Sequence, residues 1–426
     1  MDDRSTHPGG CGLGTYGRFV RHAAIDPETG EILAPPPEAL TPEKKRSRKY
    51  SRARAMAALL QSRDLAGCHA WMQSKAAPVA VHTKPGAVRS GFFTGLQSCG
   101  LVHLCAHCQP KIAARRAGEV QAAVDAWTAE GGAVLLVTLT LSHGRADPLA
   151  TTLSALKGAG QRMARHRAFA AAARAVGLLG RIVATEYTHG ANGWHPHQHQ
   201  LWFVRAGVDR EALKAALDPV WSASLQRSGF TASEAHGVRV DGGERAAQYV
   251  AKMSTGDAWT LADELTRSGS KVGRNGSRSI WEILDTWADK GAAKTDKAQA
   301  AALLHEYAAA TRGTKALKWS PGLKKRFSLD EVADEVLAEE AQDETTKLVT
   351  LVEADDWRHV LRHRAQADVL TVAEDAGASG VHDLVGALSR ACKSQDLTRL
   401  ERASAEPGKD PGSAGVCGQI LSTSPT

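Results

Sequence analysis

The chain has 426 residues, of which 43% are apolar, and carries a formal net charge of +7. That length and apolar content allow a sizeable core and more than one folded unit. No apolar run is long enough to span a membrane and no stretch reads as a secretory signal, so a membrane-embedded class is excluded and the cytoplasm is the expected address. The positive balance suits a polyanionic partner.

Residues 1–66 read as a basic, mostly disordered arm. Up to about residue 43 the chain is rich in glycine and proline, including Pro35-Pro36-Pro37, without periodicity. The stretch 44–54 then places seven cations in eleven residues. Lys44, Lys45, Arg46 and Arg48 are candidate contacts to DNA phosphates, which such a run neutralises whatever the base sequence. A solvated basic helix is the plain alternative.

Residues 67–118 form a candidate zinc module. Cys105 and Cys108 make a C-x-x-C knuckle, Cys99 stands six residues before it, and Cys68 lies further upstream. Four thiolates suit a closed, structural Zn²⁺ site, and in a reducing compartment such clustering reads as metal binding more readily than as disulfides. His69, His103 and His107 are rival ligands for the fourth position. A redox role for the C-x-x-C would need a βαβ context, which the flanking sequence lacks.

Periodicity then predicts a helix over 111–129, ended by Gly131-Gly132, and a buried central strand over 133–141. An Ala-rich helix is expected over roughly 148–176, with Arg162, Arg165 and Arg167 on its polar side, and another helix near 209–227. Between them, 181–187 and 193–204 read as two strands joined by a turn centred near Ala191 and Asn192.

The second strand carries His195, His197 and His199 at period two, so all three side chains face the same way. A hairpin centred at 191–192 puts Glu186 opposite His197 and on that face. Imidazoles with a hard carboxylate fit Mn²⁺ or Mg²⁺ in a partly open site, and do not exclude Zn²⁺. The plain alternatives are solvated histidines and a solvated strand glutamate.

Asp241 followed by Glu244 has the spacing of a capping box, which predicts a helix starting here. On it Arg245, Tyr249 and Lys252 sit at i, i+4 and i+7, on one face. A phenol flanked by cations is placed to attack a phosphate, because the cations lower its pKa and offset charge on the phosphoryl oxygens. Taken alone, the trio equally describes a packed ring beside a solvated amine. Lys271 and Arg274 lie in a Gly/Ser-rich basic loop suited to DNA backbone, and Lys324, Lys325 and Arg326 form a basic turn. A helix is expected over 297–311, with a short strand before the basic turn. From 330 to 356 the composition turns acidic, and Val332, Val336 and Leu337 suggest an amphipathic helix folding back on the basic body or meeting a partner. Residues 404–426 read as a disordered tail.

The run His195-Pro196-His197-Gln198-His199-Gln200-Leu201 resembles the second motif of the HUH endonucleases, especially the replication initiators of rolling-circle plasmids. In that family two histidines flanking a hydrophobic residue bind the metal, and the matching positions are His197 and His199; Gln198 departs from the hydrophobic middle residue. Thr138-Leu139-Thr140 resembles the first motif, though by chemistry alone it is simply core strand. Tyr249-x-x-Lys252, about fifty residues after the histidines, resembles the third. The cysteine cluster followed by Lys111-Ile112-Ala113-Ala114-Arg115-Arg116 is similar to initiators of actinobacterial type, and Trp319-Ser320-Pro321-Gly322-Leu323-Lys324 to the sequence closing their catalytic region. Some relatives carry a glutamate one turn before the tyrosine to activate water. That position is Arg245 here, with Glu244 about 100° further round the helix. Position 253 is Met, so the resemblance is to a single-tyrosine enzyme.

The resemblance covers about residues 67–328 and implies an α+β fold, an antiparallel ferredoxin-like sheet with helices on one face, over 119–328. A zinc module precedes it and an acidic helical extension over 329–403 follows. The implied function is rolling-circle initiation: Tyr249 nicks a single or extruded strand of a plasmid origin, forms a 5′-phosphotyrosine, and leaves a 3′-OH primer. The metal is held by His197, His199 and Glu186 or His195; Lys252, Arg245 and Glu244 assist. A host helicase and the replication machinery are the expected further partners. A relaxase or transposase of the same superfamily is the nearest alternative, and a zinc-bearing DNA-binding regulator that does not cut is the alternative of another class.

Overall fold

The computed structural model describes residues 41–86, 90–233, 236–243, 246, 278–339 and 345–405. In chain order it runs through helices α1 (Pro42–Leu60) and α2 (Arg63–Gly67), strands β1 (Val79–Lys84) and β2 (Ser90–Thr94), helix α3 (Cys108–Ala129) and strand β3 (Gly132–Thr140). Helices α4 (Leu149–Arg165) and α5 (Arg167–Ala175), strands β4 (Gly180–Gly190) and β5 (Gly193–Arg205), helix α6 (Arg210–Gln226) and strand β6 (Val238–Asp241) follow. The rest comprises helices α7 (Ile280–Ala288) and α8 (Lys294–Thr311), strand β7 (Leu317–Trp319), one-turn helices α9 (Leu323–Arg326) and α10 (Asp334–Leu337), strand β8 (Lys347–Val352), and helices α11 (Ala354–Arg362), α12 (Gln366–Asp375) and α13 (Gly377–Ala405). None of these helices is long and apolar enough to cross a membrane.

The main sheet has five strands in the order β6-β3-β5-β4-β7, every pair antiparallel, which makes the chain an α+β protein. Its helices do not lie on one face as expected. Leu135, Val137 and Leu139 of β3, with Trp202 and Val204 of β5, pack under α4, α5 and α6. Val134, Leu136, Leu201 and Phe203 point the other way and pack against Ala117, Val120 and Ala123 of α3. The reason is in β3 itself, which is apolar at both parities and so needs cover on both sides. The helix expected over 148–176 is broken at His166, whose extended backbone ends α4 while its ring accepts the Ala168 amide to cap α5.

Within the basic arm, the described residues from Thr41 are mostly helical. Thr41 caps α1, Pro42 sits in its first turn, and Tyr50, Met56 and Leu59 are buried. The charge run is thus one side of a helix whose other side belongs to the core.

A second sheet joins distant parts of the chain. The β1–β2 hairpin, which lies between Cys68 and Cys99, pairs with β8 in the order β2-β1-β8. Val79, Val81 and Phe93 pack with Trp357 and Val360 of α11, Val369 and Leu370 of α12, and Val381 of α13. The region after 329 therefore contributes a strand as well as helices. Its acidic start folds back on the basic body: α10 is a single turn, Asp334 pairs with Arg116 of α3 at 2.7 Å, and Arg115 donates to the Glu339 carbonyl at 2.8 Å.

Candidate metal centres

The Cys68, Cys99, Cys105 and Cys108 sulfurs all lie within 4.8 Å of one another. Cys68 stands 3.5 Å from Cys105 and 3.4 Å from Cys108, and Cys99 stands 3.7 Å from Cys108. A zinc ion with bonds of ~2.3 Å to four sulfurs at tetrahedral corners separates them by about 3.8 Å, so the cage fits the ion closely. Cys68 ends α2 and Cys108 begins α3, while Gly100, at φ +65°, allows the chain after Cys99 to turn back. Hydrogen bonding from the Cys105, Cys68 and Cys99 thiols pushes the Cys108 pKa far down, so the cluster favours a thiolate there. The rival histidines stand outside the set. His69 contacts the Lys111 amine at 2.8 Å and stacks on His107, and His103 meets the edge of Tyr187.

The second group lies on the α3 side of the main sheet. The β4–β5 hairpin turns at Ala191 and Asn192, and Glu186 pairs with His197 across it. Glu186 Oε2 stands 3.3 Å from His197 Nε2 and 3.5 Å from His199 Nε2, and the two Nε2 atoms are 3.1 Å apart. Glu186 is only 2% exposed, and neither carboxylate oxygen has a hydrogen-bond partner. Burial alone raises its pKa, but the facing imidazoles, His199 foremost, more than offset this and hold it at about 2. A buried carboxylate converging with two imidazole nitrogens is a donor set for a divalent cation.

His195 shares the face but not the cluster. Its Nδ1 is 2.8 Å from His143 Nε2, and the other ring nitrogen of His143 is 3.0 Å from the Asn192 carbonyl. Period-two spacing gives the face of a side chain but not its partner, and nothing in the sequence pointed to His143. Thr138 pairs with His199 across β3 and β5, and its hydroxyl is 2.9 Å from His199 Nδ1. Gln198 points to the opposite face, where its oxygen accepts from the Gln200 amide. Glu306 of α8 holds the hairpin end, accepting from Trp194 Nε1 and from the Leu149 amide.

The candidate nucleophile Tyr249, with Glu244, Arg245 and Lys252, lies outside the described residues, as do Lys271 and Arg274. Ala246 is described. Its amide donates to the Gly242 carbonyl at 3.1 Å, and its side chain is buried in the cluster formed by α3 with Leu201 and Ile182, on the Glu186 side of the sheet. Asp241 pairs with Arg239.

The candidate DNA contacts divide into two groups. Lys44, Lys45 and Lys325 are exposed. Arg46 is paired with Glu374, Arg48 with Asp285, Lys324 with Glu119 at 3.0 Å, and Arg326 with Glu130. Lys324 is 4% exposed, so its amine serves the fold.

Fold and sites together define an antiparallel α+β protein with two preformed ligand sets, one of sulfur and one of nitrogen and oxygen. The chain is 32% identical over 347 residues to a curated protein from Streptomyces lividans named Protein rep, an alignment covering 66% of this chain and 76% of the relative. The chain belongs to the Rep protein family. No protein-family model and no solved structure matches it.

Proposed function

We propose that the chain is a plasmid rolling-circle replication initiator of HUH type, which nicks and rejoins one DNA strand through Tyr249. The observation that carries this reading is the convergence of Glu186, His197 and His199 on the sheet face into which Ala246, three residues before Tyr249, is packed. The relative's name supports a role in replication.

In this reading Glu186, His197 and His199 hold Mn²⁺ or Mg²⁺, which supplies Lewis-acid polarisation of a scissile phosphate. The Tyr249 phenol gives up its proton and its oxygen attacks phosphorus. The bond from phosphorus to the 3′ oxygen breaks, and that oxygen takes a proton to become a 3′-OH primer. The 5′ phosphate stays on the protein as a phosphotyrosine, which conserves the phosphodiester for later rejoining. Lys252 and Arg245 offset the charge that builds on the phosphoryl oxygens. Glu244 serves as the capping-box partner of Asp241 in the helix the sequence predicts there. The four cysteines hold a structural Zn²⁺, and Lys44, Lys45 and Lys325 meet DNA backbone. A host helicase and polymerase complete the replication task.

The test incubates the full chain with Mn²⁺ and labelled single-stranded oligonucleotides tiling the cognate plasmid origin, comparing wild type with Tyr249→Phe. An SDS-resistant protein–DNA adduct formed by wild type alone supports the reading. Cutting by both proteins without an adduct rules out Tyr249 as nucleophile. Binding by both without cutting favours a non-catalytic DNA-binding regulator.

A further inference from the structure

We propose that Thr138 is a positioning residue for the metal centre, setting the ring orientation and tautomer of His199. The inference rests on the reading of Glu186, His197 and His199 as metal ligands and extends it to a residue that touches no ion.

Thr138 and His199 are directly opposed on β3 and β5, which puts both side chains on the same face. The Thr138 hydroxyl lies 2.9 Å from His199 Nδ1, while His199 Nε2 is turned toward Glu186 and His197. A neutral imidazole carries one N–H. For Nε2 to offer a lone pair to a cation, the proton must sit on Nδ1, and a partner there must accept it. The Thr138 hydroxyl is that acceptor. Without a cation, the same hydroxyl can instead donate to Nδ1 and leave the proton on Nε2, facing the Glu186 carboxylate. A hydroxyl fits both states because it donates and accepts, whereas a carbonyl or a methyl group does not.

The neighbouring pair provides an internal contrast. Thr140 is opposed to His197 in the same way, yet its hydroxyl donates to the His236 carbonyl, and His197 Nδ1 is buried without a hydrogen-bond partner. Two threonines two residues apart on one strand face two histidines two residues apart on the next. Of these two threonines only Thr138 reaches its histidine, so the Nδ1 of His199 has a hydroxyl partner and the Nδ1 of His197 does not.

The experiment is a Mn²⁺ titration of the full chain, followed by the loss of the free-ion EPR signal, with thermal melting run alongside. Thr138→Val keeps the branched shape and the strand preference of threonine but removes the hydroxyl. It is expected to weaken Mn²⁺ binding by roughly tenfold or more, the usual effect of removing an outer-shell partner. Thr138→Ser restores wild-type affinity, and Thr140→Val leaves it unchanged. Equal binding by wild type and T138V overturns the inference. So does a T138S variant as weak as T138V, or a T140V variant weakened equally, since each reduces the effect to strand packing. His197→Ala separates the two levels: if wild type shows no Mn²⁺ binding that H197A abolishes, the metal-centre reading itself fails, and the inference with it.

Discussion

Arg46 on the first helix and Glu374 on α12, 328 residues apart in sequence, form an ion pair whose carboxylate also accepts the Gly91 amide at the start of β2. One carboxylate thus ties together the basic helix, the hairpin between the cysteines and the C-terminal helices. The two side chains are only 13% and 10% exposed, so removing the charge strands a guanidinium away from water. Glu374→Gln is expected to cost about 2 kcal/mol of stability, the typical effect of leaving one buried partner unmet. Thermal unfolding of the variant checks this, and an unchanged midpoint would show the pair to be incidental.

The sulfur cage predicts one tightly held zinc per chain. Cys105→Ser is expected to lose the metal, by elemental analysis, and to expose the apolar residues packed around the cage, including Met56, Leu65 and Ile112. A full zinc complement in the variant would contradict a four-sulfur site.

At the sheet, Glu186→Gln keeps shape and burial but removes the anion. Ligand loss is expected to weaken Mn²⁺ binding more than the tenfold or so typical of outer-shell changes, and to abolish adduct formation with DNA. Unchanged Mn²⁺ binding by the variant would rule out Glu186 as a ligand.

Asp285 gives a pH dependence of definite sign. Burial alone raises its pKa, but Arg52, and then Arg48, more than offset this and leave it below the ordinary value. A carboxyl whose folded pKa is depressed stabilises the fold above its unfolded pKa, and that contribution is lost as the pH falls through the folded value. Asp285→Asn is therefore expected to be less stable than wild type at neutral pH, with the gap closing as the pH is lowered below about 4. A gap that stays constant from pH 7 to pH 3 would rule out the ion pairs as its source.

How much was legible in the sequence depends on the range of each interaction. The hairpin and the Glu186–His197 pairing follow from a turn signal and strict alternation, both local. The cysteine cage follows from spacing, and the structure leaves out the three rival histidines. The partners of the charged side chains were the least legible feature. Arg46, Arg48, Lys324 and Arg326 read as DNA contacts because the sequence shows where cations are but not which carboxylates fold onto them. Glu374, Asp285, Glu119 and Glu130 stand 196 to 328 residues from their cations. The hydroxyl of Thr138 was hidden differently, as one of two threonine hydroxyls in an otherwise apolar strand, with its partner across the sheet.

The strand β8 completes a sheet whose other two strands are enclosed between Cys68 and Cys99, and Trp357, just after it, donates to the Ala70 carbonyl beside that cage. Anyone trimming this protein to its motif-bearing core would be drawn to cut before the acidic segment, where the motifs end. That cut would uncover Val79, Val81 and Phe93 within the very loop that brings Cys68 and Cys99 together. The boundary of the smallest usable fragment is set by the sheet, and it lies beyond α13's packed residue Val385.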